Sequence, residues 1–268
     1  MNSKRPKRTL LMCLFSLSLN VAPISVAKSQ ELPSAPACAF IQKTQTLITG
    51  LSKNGILKTR SGINVKLSNI QLAGEVPKKA LEERLFNKEV VVYEGKAAID
   101  RHKRHRAQLA IKTQGANIWL QAELVAKGWA MVSGTPMTRG CLQPLRPYEK
   151  AARAAKRGAW APGGEFKVFQ AADLTKLNHI TQGTFIIVQG KVKRVFQSNQ
   201  TTFINFADNW RDDFTLLVKT SLLKRKNMRW PNMDQLPGKK IEVRGWKDHW
   251  NGPMIRLDIP EQLEIVEE

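Results

Sequence analysis

Apolar positions in the first part of this chain come in short runs. Gln45–Gly50, Gly55–Thr59 and Ile63–Leu67 are separated by Lys53-Asn54-Gly55 and Arg60-Ser61-Gly62. Short apolar runs between clusters of turn residues predict strands. Pro77–Phe86 opens with proline and is rich in Ala, Leu, Glu and Lys, which predicts a helix. Glu89–Tyr93, with its Val-Val-Val run, and Ala107–Lys112 predict two more strands. In Ile118–Lys127, Leu120, Leu124 and Val125 recur at helical spacing and Gly128 ends the pattern. Pro147–Lys156 predicts a basic, Ala-rich helix stopped by Gly158, with Trp160 folding back onto the core.

The pattern after residue 180 is different. Thr184–Val195 is a long strand interrupted by Gly190, followed by strands Thr201–Phe206 and Phe214–Lys219. A helical stretch, Ser221–Met228, comes next, and then strands Lys240–Trp246, Met254–Leu257 and Leu263–Val266. A long first strand with a helix between the third and fourth strands is the order of an OB barrel. The expected fold class is therefore β-rich α+β, with two modules. The break falls at Ala161-Pro162-Gly163-Gly164. It predicts a first domain over 45–162, a linker over 163–180 and an OB-like domain over 181–268.

The amino terminus reads as a targeting segment. Lys4, Arg5, Lys7 and Arg8 precede an apolar core, Leu10–Leu19, and Ser25-Val26-Ala27 supplies a small-x-small cleavage pattern. This predicts a signal peptide over 1–27, with a core too short to span a bilayer. Residues 28–44 form a lead into the first domain. The reading places the mature protein outside the cytoplasm, periplasmic or secreted, with no transmembrane segment.

Composition adds a constraint on partners. Lys+Arg number 43 against 22 Asp+Glu, a net of +21, and removing the four cations of residues 1–27 leaves +17. The excess is uneven: residues 28–164 hold 23 cations and 9 acids, and residues 165–268 hold 16 and 13. Nucleic acid, an anionic membrane surface or an acidic glycan would meet mainly the first module. Oligomeric state is not legible. With Cys13 in the expected signal peptide, Cys38 and Cys141 are left. They form a disulfide in an oxidising compartment, or remain two free thiols.

The densest basic run is Arg101, Lys103, Arg104 and Arg106, interleaved with His102 and His105. It fits a phosphate-contacting loop or a solvated hairpin tip. The two histidines have no cysteine or carboxylate cluster beside them, so no metal site is expected there. Trp210, Trp230, Trp246 and Trp250 suit base stacking or barrel packing, and the low charge of the second module favours packing. Asp212 and Asp213 are adjacent and would point to opposite faces of a strand.

Four blocks occur in a recognisable order. They are Ile63-Asn64-Val65-Lys66-Leu67-Ser68-Asn69-Ile70; Asp100-Arg101-His102-Lys103-Arg104 running on to Ala110; Leu124-Val125-Ala126-Lys127-Gly128-Trp129-Ala130-Met131-Val132; and Glu149 to Arg153 ending in Gly158-Ala159-Trp160. Over about 45–162 the chain resembles the staphylococcal nuclease-like (thermonuclease) family. The resemblance implies an OB barrel with flanking helices and calcium-dependent hydrolysis of phosphodiesters in DNA and RNA. It places Lys66 where the family has a strand arginine, and Arg104 where it has the second arginine of Asp-Arg-Tyr-Gly-Arg. The family's acidic positions fall on Gly55, Gln71 and Gly74, leaving Glu75, one residue late, as the nearest carboxylate.

Calcium needs oxygen ligands, mostly carboxylates. Glycine offers no side chain there, and glutamine offers a neutral carbonyl. Lysine keeps the charge of arginine but not its bidentate geometry. The expected function is binding of nucleic acid or another polyanion through Lys66, Arg101, Lys103, Arg104 and Arg106, with hydrolysis lost and no cofactor. One alternative is an active nuclease in which Lys66, Glu75 and Arg104 are catalytic, with calcium if the family activity is retained or without metal. The other is an envelope interaction module.

Overall fold

A computed structural model of the chain describes residues 32–38, 42–134, 139–209 and 213–266. The expected signal peptide, together with Trp210, Arg211 and Asp212, lies outside the described residues. The first barrel uses β1 (Gln42–Leu51), β2 (Ile56–Thr59), β3 (Asn64–Leu67), β4 (Ile70–Leu72), helix α1 (Glu75–Leu85), β5 (Glu89–Ile99), β6 (His105–Ile111) and β7 (Ile118–Trp119). Helix α2 (Leu120–Ala126), strand β8 (Ala130–Val132) and helix α3 (Leu142–Ala154) follow. Strand order is β3-β2-β1-β5-β6-β7, and a parallel β3–β6 pairing closes β1, β2, β3, β6 and β5 into a five-stranded barrel. β4 and β8 form a separate two-stranded ladder.

Side-chain alternation decides what each strand offers. In β3, Val65 and Leu67 point inward and are buried, while Asn64 and Lys66 point out. In β6, Ala107, Leu109 and Ile111 join that interior, with Leu57, Trp119, Leu124, Leu142 and Leu145. Gly128 and Gly158, read as helix stops, face each other across the chain. Gly128 has φ +68°, and a Cβ there would lie 2.1 Å from the Arg157 carbonyl oxygen. Trp160 folds back as expected, with its ring 5.1 Å from Phe166 and beneath the Arg153 guanidinium.

Helix α3 begins at Leu142, five residues before the expected Pro147. Leu142 and Leu145 are fully buried, and this burial outweighs the helix-breaking tendency of Pro147. Cys38 and Cys141 form a disulfide that pins the amino-terminal lead to the start of α3. Among the described residues, no helix is long and apolar enough to cross a membrane.

The segment 163–180, expected as a linker, contains β9 (Val168–Gln170) and α4 (Leu174–His179) and buries Phe166, Ala171 and Leu177. The second module then uses β10 (Phe185–Lys191), β11 (Arg194–Gln197), β12 (Thr201–Asn205), β13 (Thr215–Lys219), α5 (Thr220–Leu223), β14 (Lys240–His249), β15 (Pro253–Leu257) and β16 (Leu263–Ile265). Helix α5 is shorter than the expected Ser221–Met228. The order β11-β12-β13-β15-β14-β10-β9 closes through the chain, because β10 and β11 are consecutive. Lys193 N–H donates to the Asn205 carbonyl (2.8 Å) and Val192 N–H to that of Lys239 (2.9 Å) across the bend.

Residues 32–268 form one unit. Arg146, Glu149, Lys150 and Arg153 recur at three- and four-residue steps, so they share one face of α3. Arg146 and Lys150 pair with Glu264, and Arg153 pairs with Glu242 at 2.9 Å. Arg244, fully buried, reaches Glu149 and Glu242 at 2.7 Å each and donates to the Val132 carbonyl. Burial works against this charge, but the two carboxylates overcome it and hold the guanidinium protonated. Ile259, from the second module, is buried in the core of the first.

Candidate functional site

Lys66 is half-buried on the outer side of β3. The parallel register sets it beside Arg106 of β6, and Ile56 of β2 lies opposite on its other side. The β5–β6 hairpin brings in Arg104. Its turn is built by Asp100, whose buried carboxylate accepts the backbone N–H groups of His102 (2.8 Å) and Arg104 (3.1 Å). The same carboxylate accepts Arg104 Nε at 2.8 Å, with Arg104 Nη2 at 2.7 Å and Arg106 Nε at 3.9 Å. Burial would raise the pKa of Asp100. The bonds from the Arg104 guanidinium, the Arg104 backbone and the His102 backbone win, and keep the carboxyl well below the ordinary carboxylate range.

Three cations therefore surround one carboxylate that is already committed. The effect is felt at Lys66, whose ammonium is pushed below the usual lysine range. Burial is the main cause, the positive charges of Arg104 and Arg106 add to it, and Asp100 opposes it. A group in this state favours an added anion, which would relieve the repulsion.

The other basic residues of the run go elsewhere. Arg101 and Lys103 are exposed at the hairpin tip, where Lys103 takes φ +57°. Arg101 Nε donates to His102 Nε2 at 3.1 Å. His105 leaves the group and bonds Glu94 through Nδ1 at 2.6 Å. The two histidines thus have different partners, and no cluster of three or more metal-capable side chains occurs among the described residues.

The positions where acids were expected also have definite surroundings. Gly55 has φ +71° and is buried, and a Cβ there would meet Leu72 Cδ1 at 3.3 Å. Gln71, on β4, donates its amide Nε2 to Ser133 Oγ at 3.2 Å. Gly74 precedes α1, and its N–H donates to Glu165 Oε2 at 2.7 Å. Glu75 is the first residue of α1, and its side chain lies outside what the structure describes. Among the described side chains at these positions, Gly55 and Gly74 offer no oxygen, Gln71 offers a neutral amide and Asp100 is tied to arginine, a donor set poor in the carboxylate oxygens that hold calcium.

Sequence reasoning missed Glu165 and the structural role of Asp100. Glu165 is 91 residues from Gly74, outside every quoted motif, and carried no local signal. Asp100 stood inside a quoted motif, and its place two residues before His102 in a hairpin is the signal that could have found it, since Asp side chains build such turns. In the second module, Trp230 packs on the core and donates Nε1 to the Leu222 carbonyl. Trp246 and Trp250 are exposed instead. Asp213 is buried and accepts the backbone N–H groups of Phe206 and Ala207.

Comparison with known proteins bears on the first module. Residues 60–162 match the family described as staphylococcal nuclease homologue. No curated protein matches the chain.

Proposed function

With residues 60–162 a staphylococcal nuclease-like domain, we propose that this protein binds nucleic acid through phosphate contacts at Lys66, Arg104 and Arg106 and does not cleave it. The carrying observation is the asymmetry of the site. Its cations converge on one hairpin and strand pair, while the positions that the resemblance assigns to the family's acids are Gly55, Gln71 and Gly74. Hydrolysis of a phosphodiester needs charge stabilisation and a positioned nucleophile. The cations supply the first need, and no described carboxylate is free beside them for the second. Arg101 and Lys103, at the exposed tip, extend the positive surface along a backbone. Export belongs to the same reading, supported by the basic and apolar pattern of residues 1–27 and by a disulfide suited to an oxidising compartment.

The test pairs binding with digestion. Anisotropy of labelled DNA is followed against salt for the wild type and for Arg104→Ala. The variant should bind more weakly, with a log–log salt slope lower by about one unit. DNA and RNA incubated with calcium should stay intact. Robust cleavage that Glu75→Gln abolishes would overturn this reading in favour of a nuclease.

A further inference from the structure

Strand alternation gives the second barrel an inward set, Ile204, Leu216, Val218, Ile255 and Leu257, all buried. The outward set should then be polar, as on most antiparallel sheets with one wet face. One row of it is not. Phe196 of β11 stands opposite Phe203 of β12, and Phe203 opposite Leu217 of β13. In the next row Arg194, Asn205, Thr215 and Met254 are aligned across the same strands. The Phe196 and Phe203 rings are stacked, with centroids 6.5 Å apart. Trp250, at the turn between β14 and β15, completes a cleft of about 500 Å3 above these rows. Phe196 and Trp250 are 61% and 60% exposed.

Exposed aromatic faces of this size mark a binding surface, and a flat partner can stack on them. The charges narrow the choice. Arg194 and Lys219 project on the same side, and neither has an ion-pair partner among the described residues. Arg256, also on this side, is held by Asp248 at 3.1 Å. Asn205 and Thr215, bonded to each other at 3.1 Å, give the floor a polar edge.

We infer that this cleft binds single-stranded nucleic acid. Unpaired bases stack on Phe196, Phe203 and Trp250, and Arg194 and Lys219 meet the backbone phosphates. A duplex keeps its base faces covered and cannot use the aromatic cleft. A neutral glycan could lie on one aromatic ring but would leave the two free cations without a role. The cleft is separate from the cations of the first barrel and goes beyond the function proposed above.

The experiment uses the full chain carrying Arg104→Ala, so that the first site is weakened. Anisotropy is measured with a labelled oligothymidylate of about a dozen residues and with a duplex of equal length. Phe196→Ala and Trp250→Ala are then added singly, with thermal unfolding as the check that these exposed positions leave the fold intact. Oligothymidylate binding should persist in Arg104→Ala and weaken about tenfold with each aromatic substitution, while duplex binding stays unchanged. If neither substitution changes binding, or if both instead abolish binding of a neutral chitin oligosaccharide, the inference is overturned. If Arg104→Ala alone removes all binding, the inference falls and the first-barrel function stands. If only the aromatic substitutions matter, the reverse holds.

Discussion

In the first barrel, β1 pairs with β2 on one side and β5 on the other, and β3 closes on β6 in parallel. In the second, β10 and β11 pair with β14 and β12, and β13 closes on β15 in parallel. The connectivity is the same, and so is the place of the helix before the fourth strand. The outward residues are not. One barrel turns Lys66, Arg104 and Arg106 outward around a single carboxylate, and the other turns out Phe196, Phe203 and Trp250. The frame fixes where a site can lie, and the outward side chains decide which part of a ligand it can address: in our proposals, phosphate in the first case and base in the second.

The sharpest way to break the comparison is to ask whether the two barrels stand alone. Arg244→Met should lower stability by about 3–5 kcal/mol, because Glu149 and Glu242 would be left buried without their shared cation. Unfolding followed by near-UV circular dichroism should stay a single transition at lower temperature. Two separated transitions in the wild type would mean that the barrels are energetically independent.

Acid attacks the same junction from the other side. Burial pushes Glu242 up, but the bonds from Arg153 and the charges of Arg244 and Arg153 bring it down to about 2 from 4.5. A carboxyl depressed in the folded state contributes stability that is fully present above about pH 4.5 and is lost as pH falls through about 2. That contribution is roughly 3 kcal/mol. Melting temperature should therefore fall over this window, and fall less in Glu242→Gln, whose starting stability is lower.

A smaller effect sharpens the contrast at the first site. Gly74→Glu places an acid before α1, where φ is −50° and a Cβ would be 3.4 Å from Glu165 Oε2. Repulsion between the two carboxylates should cost at most about 1 kcal/mol, relieved by Glu165→Gln. Gly55→Asp should be destabilising too, since φ is +71° and Leu72 must give way. Both added acids should weaken DNA binding in the anisotropy assay. Unchanged binding would place the phosphate contact away from this group.

Much of the framework was legible because its runs are bounded by turn chemistry, as at Lys53-Asn54-Gly55 and Arg60-Ser61-Gly62. The ladder of β4 and β8 was not, since each strand has three residues and no detectable period, and the partners are distant in sequence. Helix α3 was truncated at Pro147 because local propensity says nothing of the burial of Leu142 and Leu145. In the candidate site, Lys66 and Arg104 stood out through the order of motifs. The contact of Glu165 with Gly74, and the enclosure of Arg244 by Glu149 and Glu242, depend on tertiary placement.

Ile259 sits in the interior of the barrel that is made first. A ribosome delivers residues 42–154 well before residue 259. Until β14 has emerged, Glu149 and Arg153 lack their partners Arg244 and Glu242, and until residue 259 has emerged the earlier barrel lacks part of its interior. The nascent chain therefore passes through a stage in which its amino-terminal half is built but not sealed. A carboxy-terminal truncation that removes Ile259 should arrest it there, giving a chain prone to aggregation and protease, rather than yielding a smaller, stable nuclease-like domain.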